Sequence, residues 1–296
     1  MENIIVNIDS QFRNRTLYPN PAFFKYDFYE KIKNCKYIRL SSIEIPNLFF
    51  TFTEKRKNIY FTLTVDYIDY KVIIMEGMYN YEQFIDEIQK NLTLAGTALN
   101  ATFTIVFNDI TGFITITCSK LFTANFDNNS DLYESLGYFF GFRKIQYTAN
   151  YNSTTSIYSI ITEGQLDVVG DHYLFLRIND YGVIINNYEN IIFNESDKTN
   201  TVTSIKPREG KKNLLAKIII TNSKTEQIFD NGANFITKSH IFRQPVDISK
   251  LEIELIDPRG NTVDLLGMNY SLTLEIGTIY NSSLNDKFQN NLFGFE

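Results

Sequence analysis

The sequence predicts a mainly β protein, on three observations. Its apolar mass is made of rings and β-branched side chains, with twenty-five Phe and nineteen Tyr against four Met and no Trp, a mix that suits pleated surfaces better than helices. Most apolar runs are short and alternate with period two. Asn, Asp, Gly and Pro punctuate them where strands have to turn. At 296 residues, 44% hydrophobic and 21% charged, the chain can bury a sizeable core as one large domain or two modest ones.

The elements follow in order. A short strand is expected over Ile4–Ile8 and a second over Phe23–Phe28. Between them Pro19 and Pro21 remove backbone donors, which predicts an extended surface connection. From Lys36 to Ile45 the alternation is strong: Ile38 and Leu40 share a face, and the phase slips by one residue at Ser41-Ser42 before Ile43 and Ile45. A β-bulge would absorb that slip. Pro46-Asn47 stops the strand.

Residues 57–143 have a different grammar. Strands at Ile59–Val65 and Tyr70–Met75 precede a helix, with Asn80 as N-cap, Gln83 at the third helical position, and Tyr81, Phe84, Ile85, Ile88 and Leu92 on one face. Gly96 falls near its end. A hairpin follows, with Phe103, Ile105 and Phe107 turning through Asn108–Gly112 to Ile114, Ile116 and Cys118. A second short helix carries Leu132, Leu136 and Phe139 and ends at Gly141. The order β-β-α-β-β-α reads as a compact α+β module.

After a polar connection, Asn150–Ser156, strands are expected at Tyr173–Ile178, Leu214–Thr221 and Ile236–Arg243. Leu251, Ile253 and Leu255 then alternate with Glu252 and Glu254. Asp257-Pro258-Arg259-Gly260 turns, and Tyr270, Leu272, Leu274 and Ile276 alternate with Ser271, Thr273 and Glu275. This pattern predicts a hairpin with one buried and one wet face. About eight strands lie outside the module, the number a single jelly roll needs. The preferred architecture is therefore a jelly-roll β-sandwich of residues 1–56 and 144–280, an inserted α+β module of 57–143, and a C-terminal tail of 281–296. The alternative is two tandem β-sandwich or jelly-roll domains split near residue 145.

Several function classes are disfavoured. A net charge of −6 opposes phosphate-backbone binding. The basic runs Lys55–Lys57 and Lys206–Lys212 are short and read as solvated loops. Two cysteines, Cys35 and Cys118, offer neither a disulfide framework nor a cysteine-rich zinc site, which fits a reducing compartment. The opening residues do not read as a signal peptide, and no run reaches the ~18 apolar residues of a membrane span.

Catalysis needs groups with tunable protonation. The chain has two histidines, His172 and His240, which are far apart in sequence and read as structural. No G-x-S-x-G, H-E-x-x-H or P-loop pattern occurs. Gly137–Gly141 spaces two glycines around aromatic residues, which makes it a packing element rather than a phosphate loop. Asp127, Asn129 and Asp131 echo a calcium loop, but Leu132 stands where that loop needs Gly and Tyr138 where it needs Glu. Glu252, Glu254 and Glu275 could be imagined as paired carboxylates for glycoside hydrolysis, yet read as outward residues of the hairpin. No catalytic residue, cofactor or metal is expected.

Three stretches carry a resemblance. They are Ile8-Asp9-Ser10 with Arg13, Arg15 and Tyr18-Pro19-Asn20-Pro21, then Ile38–Asn47, and then Glu76-Gly77-Met78-Tyr79 leading to Leu136-Gly137 and Gly141-Phe142. Together with Tyr270–Glu275 and Ile279-Tyr280-Asn281, they resemble the minor capsid and penton-type structural proteins of nucleocytoplasmic large DNA viruses. The doubled aromatic closing unit Leu136–Phe142 departs somewhat from that pattern. The resemblance implies jelly-roll strands and a non-enzymatic role in an icosahedral capsid, assembled in the host cytoplasm. The partners it implies are the major capsid protein, other minor capsid proteins and copies of the chain itself, as a pentamer if it is a penton. Contact residues are expected among side chains outside clear core periodicity: Phe12, Tyr18, Phe49, Phe50, Phe52, Phe293 and Phe295. The rival readings are a carbohydrate-binding or adhesive β-sandwich, weakened by the lack of Trp, and a glycoside hydrolase, which would need a raised carboxyl pKa.

Overall fold

The computed structural model describes residues 2–127, 132–179, 213–220, 226–232 and 238–279, together with the backbone of 191–195 and 205–209. The expected tail, 281–296, lies outside the described residues, as do Asn129 and Asp131. In chain order the elements are β1 (Glu2–Asp9), β2 (Phe23–Pro46), β3 (Tyr60–Val65), β4 (Ile68–Ile73), α1 (Tyr81–Leu99), β5 (Phe103–Phe107), β6 (Ile114–Cys118), β7 (Phe122–Asn125), α2 (Leu136–Phe140), β8 (Gln146–Thr148), β9 (Asn150–Asn152) and β10 (Ile157–Ile161). There follow β11 (Tyr173–Asn179), β12 (Ile191–Glu195), β13 (Ile205–Glu209), β14 (Leu214–Ile219), β15 (Gln227–Asp230), β16 (Ser239–Ile256) and β17 (Ser271–Thr278). The chain is mainly β and its assigned strand pairs are antiparallel. Two compact units emerge, one of them taking in Phe50–Gly170.

The first unit is a β-sandwich of the jelly-roll kind. Its sheet runs β1-β17-β2-β16-β11-β14, with β15 also on β2. Long strands carry the sheet around one core: β2 has 24 residues and β16 has 18. The first half of β2 pairs with β16 (Phe23↔Glu254 to Asp27↔Lys250), and the second half pairs with β17 (Cys35↔Thr278 to Glu44↔Ser271) and, over Cys35–Arg39, with β16 as well. Both halves contribute to one apolar cluster that holds Phe24, Ile38, Leu40, Ile43, Leu176, Ile253, Leu274 and Ile276. The expected bulge is present. Thr273 pairs with Ser42 but Leu274 with Leu40, so Ser41 is the extra residue and Ile38, Leu40, Ile43 and Ile45 all stay buried.

The expected C-terminal hairpin is not formed. The Asp257–Gly260 turn exists, with the Gly260 N–H donating to the Asp257 carbonyl at 3.0 Å, but β2 lies between β16 and β17 in the sheet. Alternation fixes which face of a strand is buried and says nothing about its neighbour. The glutamates differ from expectation for the same reason. With β11 on its other edge, β16 is an interior strand, and Glu254 is buried opposite Arg177. Arg177 reaches Glu254 at 2.8 Å and Glu252 at 3.2 Å. Glu275 accepts from the Tyr37 hydroxyl (2.8 Å) and Asn3 (2.9 Å) and pairs with Arg39 at 3.4 Å. These carboxylates tie neighbouring strands together and do not form a solvated stripe.

The second unit has two four-stranded sheets, β4-β3-β7-β8 and β5-β6-β10-β9. The helix α1 has the expected capping box between Asn80 and Gln83, and it buries Phe84, Ile88, Leu92, Ala95 and Leu99. Tyr81, expected on that face, is exposed. The core is a raft of rings: Phe52 stacks on Phe84 at 5.1 Å, and Phe126 on Phe142 at 4.7 Å. Gly137 is needed there, because a Cβ would lie 2.4 Å from the Phe126 ring. Gly141 ends α2 at φ +107°, a conformation only glycine adopts readily.

Residues 144–170 belong to this unit rather than to the sandwich that the sequence reading gave them to. β8 pairs with β7 and β10 pairs with β6, and Ile160, Leu166 and Val168 join the aromatic core. The Asn150–Ser156 stretch is the β9–β10 hairpin and not a linker. Polar side chains mark an exposed hairpin as readily as a connection, which is why composition misplaced the boundary.

Candidate functional site

Two loops of the sandwich unit are built into one rigid platform. The first, residues 10–22, follows β1, and the second, 257–270, precedes β17. At the start of the first, the Asp9 carboxylate accepts from the Gln11 N–H at 2.8 Å and caps a single 3-10 turn. Ser10 is buried and bound twice to Tyr270. Its N–H donates to the Tyr270 carbonyl (2.9 Å), and its hydroxyl accepts from the Tyr270 N–H (2.8 Å).

Arg13 is the clamp. Its guanidinium donates to the carbonyls of Ser10 (2.8 Å), Tyr18 (2.8 Å) and Pro19 (2.9 Å) and to the Asn269 side chain (2.8 Å). A planar fork with several donors can satisfy four acceptors at once, whereas a lysine cannot. Burial, and then the charge of Arg15, lowers its pKa, but an arginine stays charged throughout the physiological range. Asn20 completes the lock by donating to the Val263 carbonyl at 3.1 Å and accepting from the Ala22 N–H at 2.9 Å. The expected extended connection is in fact a series of turns, with the Tyr18 N–H on the Asn14 carbonyl at 2.8 Å.

On this platform four large apolar side chains face outward. Phe12 is 82% exposed and Leu17 68%, while Leu266 and Met268 on the second loop are 44% and 46% exposed. Leu266 sits at φ +52°, an unfavourable conformation for a branched side chain, held by its N–H on the Asp264 carboxylate at 2.9 Å. Flexible loops often display an apolar side chain without consequence. A loop held this firmly has already lost its conformational entropy, so its apolar tips are preorganised to dock.

The expected contact residues divide accordingly. Phe12 is displayed. Tyr18 is half-buried and packs edge-on against Phe23 at 5.9 Å, bracing the loop. Phe49 lies against the sandwich core, and Phe50 is half-buried. Phe52 is fully buried among Tyr79, Phe84 and Phe139 and presents no surface. It sits in a strand-free segment, and lack of periodicity there was mistaken for exposure. Phe293 and Phe295 lie outside the described residues. Leu17, Leu266 and Met268 went unnoticed, although Leu265-Leu266-Gly267-Met268, an apolar run between Asp264 and Asn269 in a turn region, was the available signal.

Chemistry elsewhere is sparse. Among the described residues no group of three His, Cys, Asp or Glu is placed to hold a metal, and no helix is long and apolar enough to cross a membrane. Cys35 and Cys118 are buried free thiols. Burial, then Asp247, pushes Cys35 up to about 11, and burial raises Cys118 as well. His240 packs edge-on against Phe242 at 4.8 Å.

The fold and this platform define the class: a mainly antiparallel β protein, with a jelly-roll-type sandwich and an α+β unit, that displays apolar side chains on braced loops. No family model matches the sequence, and no curated protein matches it. Among solved structures the chain is similar to a mavirus penton protein, described as the "Crystal structure of SeMet-labeled mavirus penton protein". The similarity has 13% sequence identity and a TM-score of 0.47, and it covers 94% of this chain and 100% of that one.

Proposed function

We propose that the chain is a non-enzymatic structural component of an icosahedral virus capsid, of the minor capsid or penton type found in large DNA viruses. It works by protein–protein contact with the major capsid protein, other minor capsid proteins and copies of itself, and its place is the virion. The observation that carries this reading is the braced platform, four exposed apolar side chains held on two loops that hydrogen bonds lock together. The residues behind the sequence resemblance, Ser10, Arg13 and Asn20, are the ones that build it. In interfaces of ~800 Å² per partner a few well-packed anchors carry much of the energy, a part that suits Phe12, while neighbouring aliphatic contacts serve mainly to exclude water.

Sedimentation of the purified chain, alone and with the major capsid protein, tests the proposal. The wild type is expected to form a defined complex, and Phe12→Ser with Leu17→Ser to weaken it at least tenfold with the same thermal midpoint. A wild type that associates with neither itself nor the capsid protein, or a double variant that associates equally well, overturns it.

A further inference from the structure

A second surface, in the Phe50–Gly170 unit, has a different chemistry. A groove of about 750 Å³ runs between the start of α1 and strand β5. Its apolar floor includes Tyr81 and Phe107, whose rings are stacked at 5.7 Å and 8°, with Val106 56% exposed beside them. Around it stand Glu82, Asp86 and Asp109, and the lining contains no Lys or Arg.

Helix physics accounts for only part of this. Glu82 in the first turn of α1 suits the positive end of the helix dipole, but Asp86 is a turn further on and Asp109 comes from the β5–β6 turn. None of the three carboxylates has a hydrogen bond or ion pair among the described residues. The walls are fixed by Gln89, which accepts from the Ile105 N–H at 2.9 Å and donates to the Phe103 carbonyl at 3.3 Å, fastening α1 to the outer edge of β5. A partly exposed aromatic stack beside three unpaired carboxylates complements a side chain that is flat, cationic and partly apolar. Arginine has that shape: its guanidinium stacks on rings and forks to carboxylates.

We propose that this groove is a docking site for an extended, arginine-bearing segment of a partner protein, with arginine lying across the Tyr81–Phe107 pair and small apolar residues against Val106. The inference does not depend on the capsid reading. The probe is a fluorescein-labelled hexapeptide Gly-Arg-Val-Arg-Val-Gly, compared with its counterpart bearing Glu for Arg, with binding followed by anisotropy on the full chain. The arginine peptide is expected to bind, to weaken at least tenfold on E82Q/D86N/D109N and about fivefold on Tyr81→Ala, and to weaken as salt rises. Melting curves establish that the variants remain folded. The three neutralising changes are on the surface, so they read the charge directly even if Tyr81→Ala disturbs the helix start. Equal binding of the glutamate peptide, undiminished binding by the neutralised variant, or no binding at millimolar peptide overturns the proposal. So does self-association of the chain that the same three substitutions abolish, since the occupant would then be a second copy.

Discussion

At the scale of single residues, the sandwich unit turns on a few polar groups placed among apolar ones. Arg13 and Ser10 convert two loops into a platform, and Arg177 lets a glutamate sit inside the sheet. Tyr270 is the exception. Its backbone holds Ser10, but its hydroxyl is buried with no hydrogen-bond partner among the described residues, and burial, with Glu254 adding to it, raises its pKa so that it stays protonated. An unsatisfied buried hydroxyl costs about 1–3 kcal/mol. Tyr270→Phe removes that cost and keeps the ring packing on Phe24 at 6.1 Å. Denaturant unfolding is expected to show the variant about 1 kcal/mol more stable. A loss of stability would mean that the hydroxyl is satisfied in the folded protein.

At the scale of elements, local chemistry was legible in the sequence and neighbour choice was not. The capping box of α1, the Ser41 phase slip and the helix stop at Gly141 each depend on residues a few positions apart, so each could be read directly, whereas the reason for Gly137, the Phe126 ring eleven positions away, could not. The β16–β17 pairing failed because the 24-residue β2 lies between two strands that are adjacent in sequence. Both strands alternate correctly, and no local signal reports the intruder. The β3–β4 hairpin shows a local signal that was too weak to use. Its two-residue loop, Asp66-Tyr67, has both residues at positive φ, +50° and +64°, between the paired Val65 and Ile68. This is a type I′ conformation, which favours Asn-Gly. Tyr67 is fully exposed there, so the ring contributes little packing. Replacing Asp66-Tyr67 by Asn-Gly is expected to stabilise the chain by about 1 kcal/mol, read as a higher unfolding midpoint. A lower midpoint would show that Asp66, paired with Lys120 at 2.8 Å, matters more than the backbone strain.

At the scale of the whole molecule, each unit has its own apolar core, and the two cores differ in kind. The sandwich is filled mainly by Ile and Leu, whereas the other unit adds a raft of nine Phe to its Ile and Leu. Residues 50–170 are continuous in sequence and hold both of their sheets, which leads us to infer an insertion that folds by itself. Expressed alone, 50–170 is expected to unfold in one cooperative transition with dispersed amide resonances. A molten or aggregated product would show that it needs the sandwich. The candidate site was half legible for a related reason. Phe12 stands out as an aromatic residue in a turn, whereas Leu266 and Met268 matter only because Arg13 bridges to Asn269 across the sequence.

We propose that the braced loops are an assembly contact of a capsid protein. An electron cryo-microscopy reconstruction of virus particles containing the chain tests it most directly. The expected result is density for the sandwich at five-fold vertices or along capsomer seams, with Phe12, Leu17, Leu266 and Met268 buried against a neighbouring subunit. Particles without the chain, or a chain whose four apolar side chains all face solvent, would contradict it.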